Sequence, residues 1–299
     1  MSDEPTNRAK IHRSCSGSCS GPGPCQLCGA VDLSPWEVHE NCVLWYCAAC
    51  DLYQYGPEPG SQSYRDEYHS GYEKNRERKI YSALTRLSYI RSLLTMPDQQ
   101  VRALDVGCSI GASVEAAKRL GWQSIGVDVS DDAVDYCNRL GLKCYAYHGT
   151  HLPFPDNSFD VITAWHVIEH VVDVRQTLED WKRVLRPGGM VVLATPDCSS
   201  PKVKKLGKAY KKFWAPEHTY TFNPSNLSQF GEETGLEVTP LRLKPKMKGL
   251  SLRLTAYEIL RRCNETSHNL MGTQKEFCLV MRKPLQVSSV ASQPARRAA

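Results

Sequence analysis

The feature that most constrains the fold is a glycine-containing turn between a short apolar strand and a helix. The strand at residues 101–106 runs into the sequence Asp105-Val-Gly107-Cys-Ser109-Ile-Gly111, and a helix is predicted at residues 112–120. Glycine adopts left-handed backbone conformations and places no side chain between the backbone and a ligand. The segment therefore predicts a βα unit whose turn lets a ligand approach the chain closely.

The same alternation of strand and helix continues to the C-terminal part of the chain. Short apolar runs bounded by turn residues predict strands, and amphipathic runs of about ten residues predict helices. The further predicted strands are 123–128, 143–147, 160–165, 190–195, 237–243 and 277–281, and the further helices are 131–139, 175–185 and 225–234. This order predicts an α/β, Rossmann-like fold with a seven-stranded, mainly parallel sheet and helices on both faces.

The character of the sequence changes along the chain and predicts a division into segments. Both ends lack periodic apolar residues, and the first is rich in Ser, Gly and Pro, so disorder is expected there. A tyrosine-rich stretch and a helix at residues 73–94 precede the sheet domain. The predicted segments are a disordered tail at 1–24, a ribbon at 25–60, a linker and helix at 61–98, the sheet domain at 99–283 and a second disordered tail at 284–299.

The ribbon segment contains two pairs of cysteines with the spacing of a metal site. Cys25 and Cys28 form one Cys-x-x-Cys pair, and Cys47 and Cys50 form a second pair 18 residues later. Paired knuckles at this separation are typical of tetrahedral zinc, and four thiolates with no open position indicate a structural ion. Four free thiols are the alternative, and an iron–sulfur cluster suits the paired spacing less well. Other thiols that could replace a ligand are Cys15, Cys19 and Cys42.

A carboxylate at the end of the second predicted strand supports a ribose-binding role for the glycine turn. Asp128 follows Gly111 by 17 residues, and an acidic residue there can accept hydrogen bonds from a ribose diol. The glycine pattern lacks the middle glycine that lets a pyrophosphate lie against the turn, which argues against a dinucleotide. Ser109 stands in that region, and its side chain can donate to the carboxylate. A tight turn with an acidic strand end remains the structural alternative.

Five motifs in order carry a family resemblance: LDVGCSIG, GVDVS, LPFPDNSFDVI, HVIEHV and VLRPGGMVVLATPD. The series resembles the class I S-adenosylmethionine-dependent methyltransferases of the ubiquinone, menaquinone and sugar-methyltransferase type, densely over residues 101–195. The resemblance implies S-adenosylmethionine as cofactor. The implied cofactor-binding residues are Asp105 and Gly107 for the methionine portion, Asp128 for the ribose, and Trp165 and His166 near the reactive methyl.

Two further expectations follow from the resemblance. The turn at residues 149–152 would flank the adenine, but the acidic residue that relatives often carry there is missing and His151 occupies the loop beside Thr150. After the fourth strand, Glu169 and His170 are interpreted as residues that orient the loop, in preference to a metal or general-base cluster with His166.

The segment WAPEHTYTF at residues 214–222 extends the resemblance to the acceptor side. Together with a four-cysteine ribbon and a tyrosine-rich link, it is similar to sugar C-methyltransferases that act on nucleotide-linked deoxysugars. In those enzymes a Glu-His pair reaches the acceptor. His218 is the predicted catalytic base, with Glu217 as orienter or second base, and Tyr68 or Tyr72 could supply a hydroxyl. A structural histidine at a helix start is the alternative for His218.

Six lysines crowd the segment after the fifth main strand, and the chain carries a net charge of +5. A charge run is usually a solvated face. The other interpretation is an anionic acceptor, because ammonium groups serve as phosphate point charges. Few aromatic residues interleave with the lysines, which argues against RNA. The lysines are Lys202, Lys204, Lys205, Lys208, Lys211 and Lys212.

These observations predict a small-molecule methyltransferase acting on a nucleotide-linked sugar or glycan precursor. One alternative is an O-methyltransferase of a phenolic or quinone-type metabolite, and another is a zinc-ribbon interaction protein with an inactive methyltransferase domain. No run approaches the ~20 apolar residues of a membrane helix, and no apolar signal region precedes the cysteines. A cytoplasmic location is therefore expected.

Overall fold

The computed structural model describes residues 23–39, 42–55, 75–148, 151–209, 218–241 and 276–285. Within them, strands and helices alternate through the central part of the chain. The strands are β1 (Ser34–His39), β2 (Cys42–Cys47), β3 (Leu52–Tyr55), β4 (Arg102–Val106), β5 (Gln123–Asp128), β6 (Cys144–Ala146), β7 (Phe159–Trp165), β8 (Leu185–Pro196), β9 (Tyr220–Thr221), β10 (Glu237–Pro240) and β11 (Glu276–Arg282). The helices are α1 (Arg76–Arg91), α2 (Ala112–Arg119), α3 (Asp131–Arg139), α4 (Val174–Val184), α5 (Pro201–Leu206) and α6 (Pro224–Glu233).

The main sheet has seven strands in the order β10-β11-β8-β7-β4-β5-β6. Strands β6, β5, β4, β7 and β8 run parallel, and β11 pairs antiparallel with both β8 and β10. The order reverses at β4, so the carboxyl ends of β4, β5 and β7 meet where open α/β sheets bind their ligands. The predicted Rossmann-like α/β class and seven-stranded sheet are confirmed.

One predicted boundary is wrong at the junction of α4 and β8. The sequence Arg186-Pro-Gly-Gly predicts a stop between helix and strand, whereas the strand already begins at Leu185. Leu185 pairs with Phe159, and the register shifts before the regular ladder. Lys283 exchanges backbone hydrogen bonds with this stretch, from Gly188 N to Lys283 O at 2.9 Å and from Lys283 N to Gly189 O at 2.9 Å. Lys283, which is far along the chain, thus pairs with the first part of β8 before the regular ladder begins.

Two apolar layers cover the faces of the main sheet. On one face, Ile80 of α1 and Ala116 of α2 belong to a buried apolar cluster that also contains Val101, Val161 and Val192. On the other face α4 and α6 pack against the sheet in a second cluster. Burial of aliphatic side chains on both faces is what parallel strands with continuous apolar runs require.

The ribbon forms a second, four-stranded sheet in the order β1-β2-β3-β9. Its last strand comes from the segment after β8, so the ribbon and the main domain share a sheet. They also share an apolar cluster, in which Leu27, Leu33 and Leu52 of the ribbon contact the layer that contains Trp181 and Phe230. The predicted segment boundaries stay a prediction, but the two parts are packed together.

Membrane spans were also sought among the described helices. None of those helices has both the length and the apolar character that crossing a bilayer requires.

Candidate functional site

The donor loop, defined as residues 107–111, takes its shape from left-handed backbone at three positions. Gly107 and Gly111 have φ of +70°, and Ser109 has φ of +47°. A Cβ atom on Gly107 would lie 2.5 Å from Val167 Cγ2, so a larger residue would displace the segment after β7. The backbone N–H groups of Gly107 and Cys108 donate to Val127 O at 2.9 and 3.0 Å. These hydrogen bonds attach the loop to the carboxyl end of β5.

Asp128 closes the donor loop from the end of β5. Its Oδ2 accepts a hydrogen bond from the backbone N–H of Ser109 at 2.7 Å, and its Oδ1 accepts from Ser130 N at 2.9 Å. The predicted side-chain hydrogen bond of Ser109 is thus wrong: the backbone donates, because the left-handed turn points its N–H at the carboxylate. The Ser109 hydroxyl oxygen is buried without a hydrogen-bond partner among the described residues.

These features fit a ribose-bearing cofactor. A carboxylate can accept about four hydrogen bonds, so two backbone donors leave it able to accept from a diol. A buried hydroxyl without a protein partner costs roughly 1–3 kcal/mol unless a ligand or water satisfies it. Ser109 and Asp128 therefore offer a donor and an acceptor at the place where the sheet topology expects a ligand.

Asp105 lies at the carboxyl end of β4 and is almost fully buried. Thr163 Oγ1 on the neighbouring β7 donates to Asp105 Oδ1 at 2.6 Å. Burial raises the pKa of the Asp105 carboxyl to about 7, against the hydrogen bonds from Thr163 and Ser113, which lower it, and Asp128 adds to the rise. A carboxyl in this state responds strongly to a positive charge placed beside it.

His166 lies between two carboxylates just after β7. Its Nδ1 is 3.3 Å from Glu169 Oε1, and its Nε2 is 2.9 Å from Glu276 Oε2. Burial lowers the pKa of the imidazole, but the hydrogen bonds and charges of the two glutamates outweigh this and raise the pKa to about 10. Thr195 Oγ1 donates to the other oxygen of buried Glu169 at 2.9 Å. The two carboxylates therefore favour the protonated form of His166, which they join to the loop after β7 and to β11.

The two other predicted cofactor residues have contacts of their own. Trp165 packs against the layer of α1 and α2, with the Arg86 guanidinium 4.7 Å from its ring centroid. Its indole N–H has no hydrogen-bond partner among the described residues. His151 is exposed, and its Nδ1 lies 3.0 Å from Asp180 Oδ1 on α4. Asp180 also accepts from Leu152 N at 2.6 Å, which fixes the loop that follows His151.

A second group of polar side chains lies after β7 and before β9. The rings of His170 and His218 meet edge to face, with centroids 4.9 Å apart. One ligand atom each of Glu169, His170 and His218 lies within 4.8 Å of the others. Thr219 Oγ1 donates to His170 O at 3.4 Å, which joins the two segments. The predicted residues Glu217, Tyr68 and Tyr72 lie outside the described residues.

The four ribbon cysteines converge as their spacing predicts. Cys25 Sγ lies 3.4 Å from Cys50 Sγ, Cys28 Sγ lies 3.6 Å from Cys47 Sγ, and all four sulfurs are within 4.8 Å of one another. Burial acts to raise the pKa of the Cys47 thiol, but the backbone N–H groups of Cys50 and Ala49 outweigh it and leave the pKa lowered, whereas burial raises the pKa of Cys25 and of Cys50. Four convergent sulfurs fit a tetrahedral metal ion, whose charge would favour the thiolate form of all four.

Sequence reasoning missed several residues around the donor loop. Glu276 reaches His166 from 110 positions away, which no local pattern signals. Three buried cysteines, Cys108 of the donor loop, Cys137 and Cys144, have sulfurs within 4.8 Å of one another. They come from a loop, a helix and a strand, so no spacing rule applies to them.

The fold and the donor loop define an α/β domain of the kind that binds a nucleoside-bearing cofactor at the carboxyl edge of its sheet. The sequence profile of a family described as a methyltransferase domain matches residues 72–241, which is more than half of the chain. The chain belongs to this family, and it is a class I S-adenosylmethionine-dependent methyltransferase.

Relatives with assigned names match about half of the chain or less. A ubiquinone biosynthesis O-methyltransferase from Parvibaculum lavamentivorans is 30% identical over 185 residues, which cover 56% of this chain and 72% of the relative. A demethylmenaquinone methyltransferase from Staphylococcus saprophyticus is 35% identical over 124 residues, which cover 38% of this chain and 53% of the relative.

Solved structures support the fold at low sequence identity. A SAM-dependent methyltransferase from Archaeoglobus fulgidus has a TM-score of 0.52 and 19% identity, covering 73% of this chain and all of that one. Phosphoethanolamine N-methyltransferase 2 from Haemonchus contortus, in complex with S-adenosyl-L-methionine, has a TM-score of 0.53 and 18% identity, covering 78% of this chain and 63% of that one.

Proposed function

We propose that this methyltransferase transfers a methyl group to an oxygen of a phenolic or quinone-type small molecule. The observation that carries the proposal is the set of relatives: those matched at about 30% identity are named as ubiquinone and menaquinone methyltransferases. The acceptor of the sequence-based prediction, a nucleotide-linked sugar, becomes the second candidate. O-methylation needs a base for one phenolic proton and a cofactor aligned with the oxygen.

On the donor side, we assign the ribose to Asp128 and the methionine portion to Asp105 and Gly107. S-adenosylmethionine supplies a methyl group on a positively charged sulfur, which makes that carbon electrophilic. Gly107 places no side chain at the turn, and Asp105 presents a buried carboxyl from the end of β4, which leads into that turn. A cationic ligand would favour the ionised form of that carboxyl.

On the acceptor side, we assign the base to His218. An imidazole nitrogen can accept the phenolic proton near neutral pH as the oxygen attacks the methyl carbon. His166 is a poor base because its raised pKa of about 10 keeps it protonated. The edge-to-face contact with His170 supports His218 as an oriented ring. Glu217, Tyr68 and Tyr72 stay predictions for the same role.

We further infer that Cys25, Cys28, Cys47 and Cys50 hold a structural zinc ion. Four convergent sulfurs within 4.8 Å of one another support this assignment. The ion would cross-link the two knuckles of the ribbon and would have no open position for a reactant.

A nucleotide-linked sugar is the second candidate because the four-cysteine ribbon and the tyrosine-rich link resemble sugar C-methyltransferases, and because a run of lysines can bind a diphosphate. The described lysines give it limited support. Lys208 contacts strand β1 of the ribbon, since its Nζ lies 3.8 Å from Glu37 Oε2 and 5.5 Å from the centroid of the Trp36 ring. Lys204 and Lys205 are exposed, as on a solvated face.

A methyl-transfer screen with labelled S-adenosylmethionine tests the proposal. One arm contains catechols and hydroquinones with alkyl tails of increasing length, and the other contains diphosphate-linked sugars. We expect label on a phenolic oxygen, identified by the methyl chemical shift of the product. Label on a sugar carbon or oxygen would instead establish the second candidate. No transfer to any phenol by protein that binds the donor would overturn the proposal.

A further inference from the structure

We propose that Asp51 is a positioning residue that couples the metal-bearing ribbon to the acceptor side, so that metal loading controls acceptor turnover without controlling donor binding. The proposal rests on the proposed function in two respects, the assignment of the acceptor to the side of His218 and the assignment of a structural zinc ion to the four ribbon cysteines. It goes beyond those assignments because it gives the ribbon a role in the reaction.

The first observation is the strand shared by the ribbon and the main domain. Strand β9 extends the ribbon sheet, with Tyr53 opposite Thr221 and Gln54 opposite Tyr220. Tyr55 N also donates to Thr219 O at 3.0 Å. Thr219 directly follows His218 in the chain. The backbone position of His218 is therefore set one residue away by the ribbon strand β3.

The second observation is the set of contacts made by Asp51, which directly follows the last cysteine of the cluster. Its backbone oxygen accepts from Asn226 Nδ2 at 2.9 Å, and its Oδ2 accepts from Asn223 Nδ2 at 3.0 Å. Both asparagines are buried, and they cap each other at the start of α6. One residue thus joins the Cys50 knuckle to the helix that follows the acceptor segment.

Asp51 adopts a left-handed conformation with φ of +54°. Aspartate and asparagine tolerate this region better than other non-glycine residues. The conformation depends on the turn that Cys47 and Cys50 form, because it immediately follows that turn. Loss of the metal would leave the turn between Cys47 and Cys50 unrestrained. The backbone oxygen and Oδ2 of Asp51, which accept hydrogen bonds from the start of α6, would then lose their fixed position.

The first knuckle is attached to the same side. Arg175 on α4 donates to the backbone oxygens of Gln26 and Leu27 and pairs with Glu233 on α6. Tyr220 Oη donates to Val172 O at 2.7 Å, which ties β9 to the loop before α4. Both knuckles are therefore anchored on α4, α6 and β9.

The donor loop is anchored elsewhere. Its hydrogen bonds run to Val127 and Asp128 on β5, and Arg76 Nε on α1 donates to Ile110 O at 3.4 Å. Between residues 105–111 and the described part of the ribbon, no hydrogen bond is seen. Disturbance of the ribbon should reach the acceptor side first.

The test compares Asp51→Ala, Asp51→Asn and the wild type, with Asp32→Ala as matched control because Asp32 is an exposed aspartate of the same ribbon. Four quantities are measured on the full chain: zinc content, S-adenosylmethionine affinity by calorimetry, amide exchange of peptides covering 218–227, and the kcat and KM for the acceptor found by the screen.

For Asp51→Ala we expect zinc and donor affinity within about twofold of wild type, because neither site loses a ligand. Exchange at 218–227 should rise, and kcat should fall by roughly ten- to hundredfold, the range for a misplaced catalytic group. Asp51→Asn keeps an oxygen acceptor, so its amide exchange at 218–227 and its kcat should stay close to those of the wild type. Asp32→Ala should change neither the exchange nor kcat.

Zinc removal from the wild type by a chelator is the second measurement, and it applies if Asp51→Ala does not fold. We expect faster exchange at 218–227 with donor affinity retained. Unchanged exchange in both Asp51→Ala and zinc-free protein would overturn the coupling. Because exchange needs no acceptor, increased exchange with unchanged turnover would instead place the error in the assignment of His218.

Discussion

The regions that we assign to the methyl donor and to the acceptor, called here the donor side and the acceptor side, are built in opposite ways. The donor side comes from one continuous stretch, residues 105–128, folded on two neighbouring parallel strands. The acceptor side is assembled from the ribbon, the segment after β7 and the segment around β9, which are far apart in sequence. The comparison teaches that a local motif can specify cofactor binding, whereas acceptor choice depends on contacts that only the whole fold creates.

The largest expected effect is a loss of turnover on replacing His218, which would distinguish the acceptor side from the donor side. His218→Ala should lower turnover by ~10²–10⁴, the range for loss of a general base, while donor affinity stays near wild type. Steady-state kinetics with the identified acceptor and calorimetry with S-adenosylmethionine measure the two quantities. His148→Ala is the control, since His148 is an exposed histidine paired with Asp131 on α3.

A turnover reduced less than about threefold, with the fold intact, would remove His218 from the base role. It would then be a structural histidine in contact with His170. Tyr68, Tyr72 or Glu217 would be the next residues to replace.

The next effect tests the donor side alone. Asp128→Ala should weaken S-adenosylmethionine binding by roughly 1.5–3 kcal/mol, the range for a hydrogen bond to a charged group. Asp128→Asn keeps an oxygen for the N–H of Ser109 and should lose less. Calorimetric titration measures both variants, and amide exchange at the donor loop separates loss of ribose contacts from loss of loop order. Unchanged affinity in both variants would contradict the ribose assignment.

The sequence predicted the strand-turn-helix unit at residues 105–128 because its determinants are local, while its role in donor binding stays a prediction. Two glycines, an acidic strand end and strand-helix alternation suffice to place residues 105–128 at the carboxyl edge of a parallel sheet. The four ribbon cysteines were predicted for the same reason, since two short knuckles present two thiols each. The predicted side-chain role of Ser109 failed because a left-handed turn redirected its backbone N–H.

Non-local features were out of reach of sequence patterns. The two-residue strand β9 has no periodicity to detect, yet it joins the ribbon to the main domain. The early start of β8 depends on pairing with Lys283, far along the chain. Glu276 shifts the pKa of His166 from the antiparallel strand β11, so the charge state of His166 could not be derived from its own segment.

The smallest expected effect concerns His166, which lies where the two sides meet. Its pKa of about 10 is raised above the ordinary value of about 6.5. The pairing therefore stabilises the fold fully below about pH 6.5, loses its contribution progressively as the pH rises, and has none above about pH 10. Because His166 and Glu276 are both nearly half exposed, solvent screens the pair and the effect on stability should be modest.

Glu276→Gln removes one of the two carboxylates and should lower the pKa of His166 while buried Glu169 still holds the ring. The midpoint temperature of thermal unfolding should then fall less steeply between pH 6.5 and 10 than in the wild type. An NMR titration of the imidazole should give a lower pKa. Donor affinity and acceptor turnover near pH 7 should change little, because buried Glu169 still favours the protonated imidazole in the variant. If Glu276→Gln instead weakens donor binding tenfold, His166 belongs to the donor side through its charge. A tenfold loss of turnover alone would place His166 on the acceptor side.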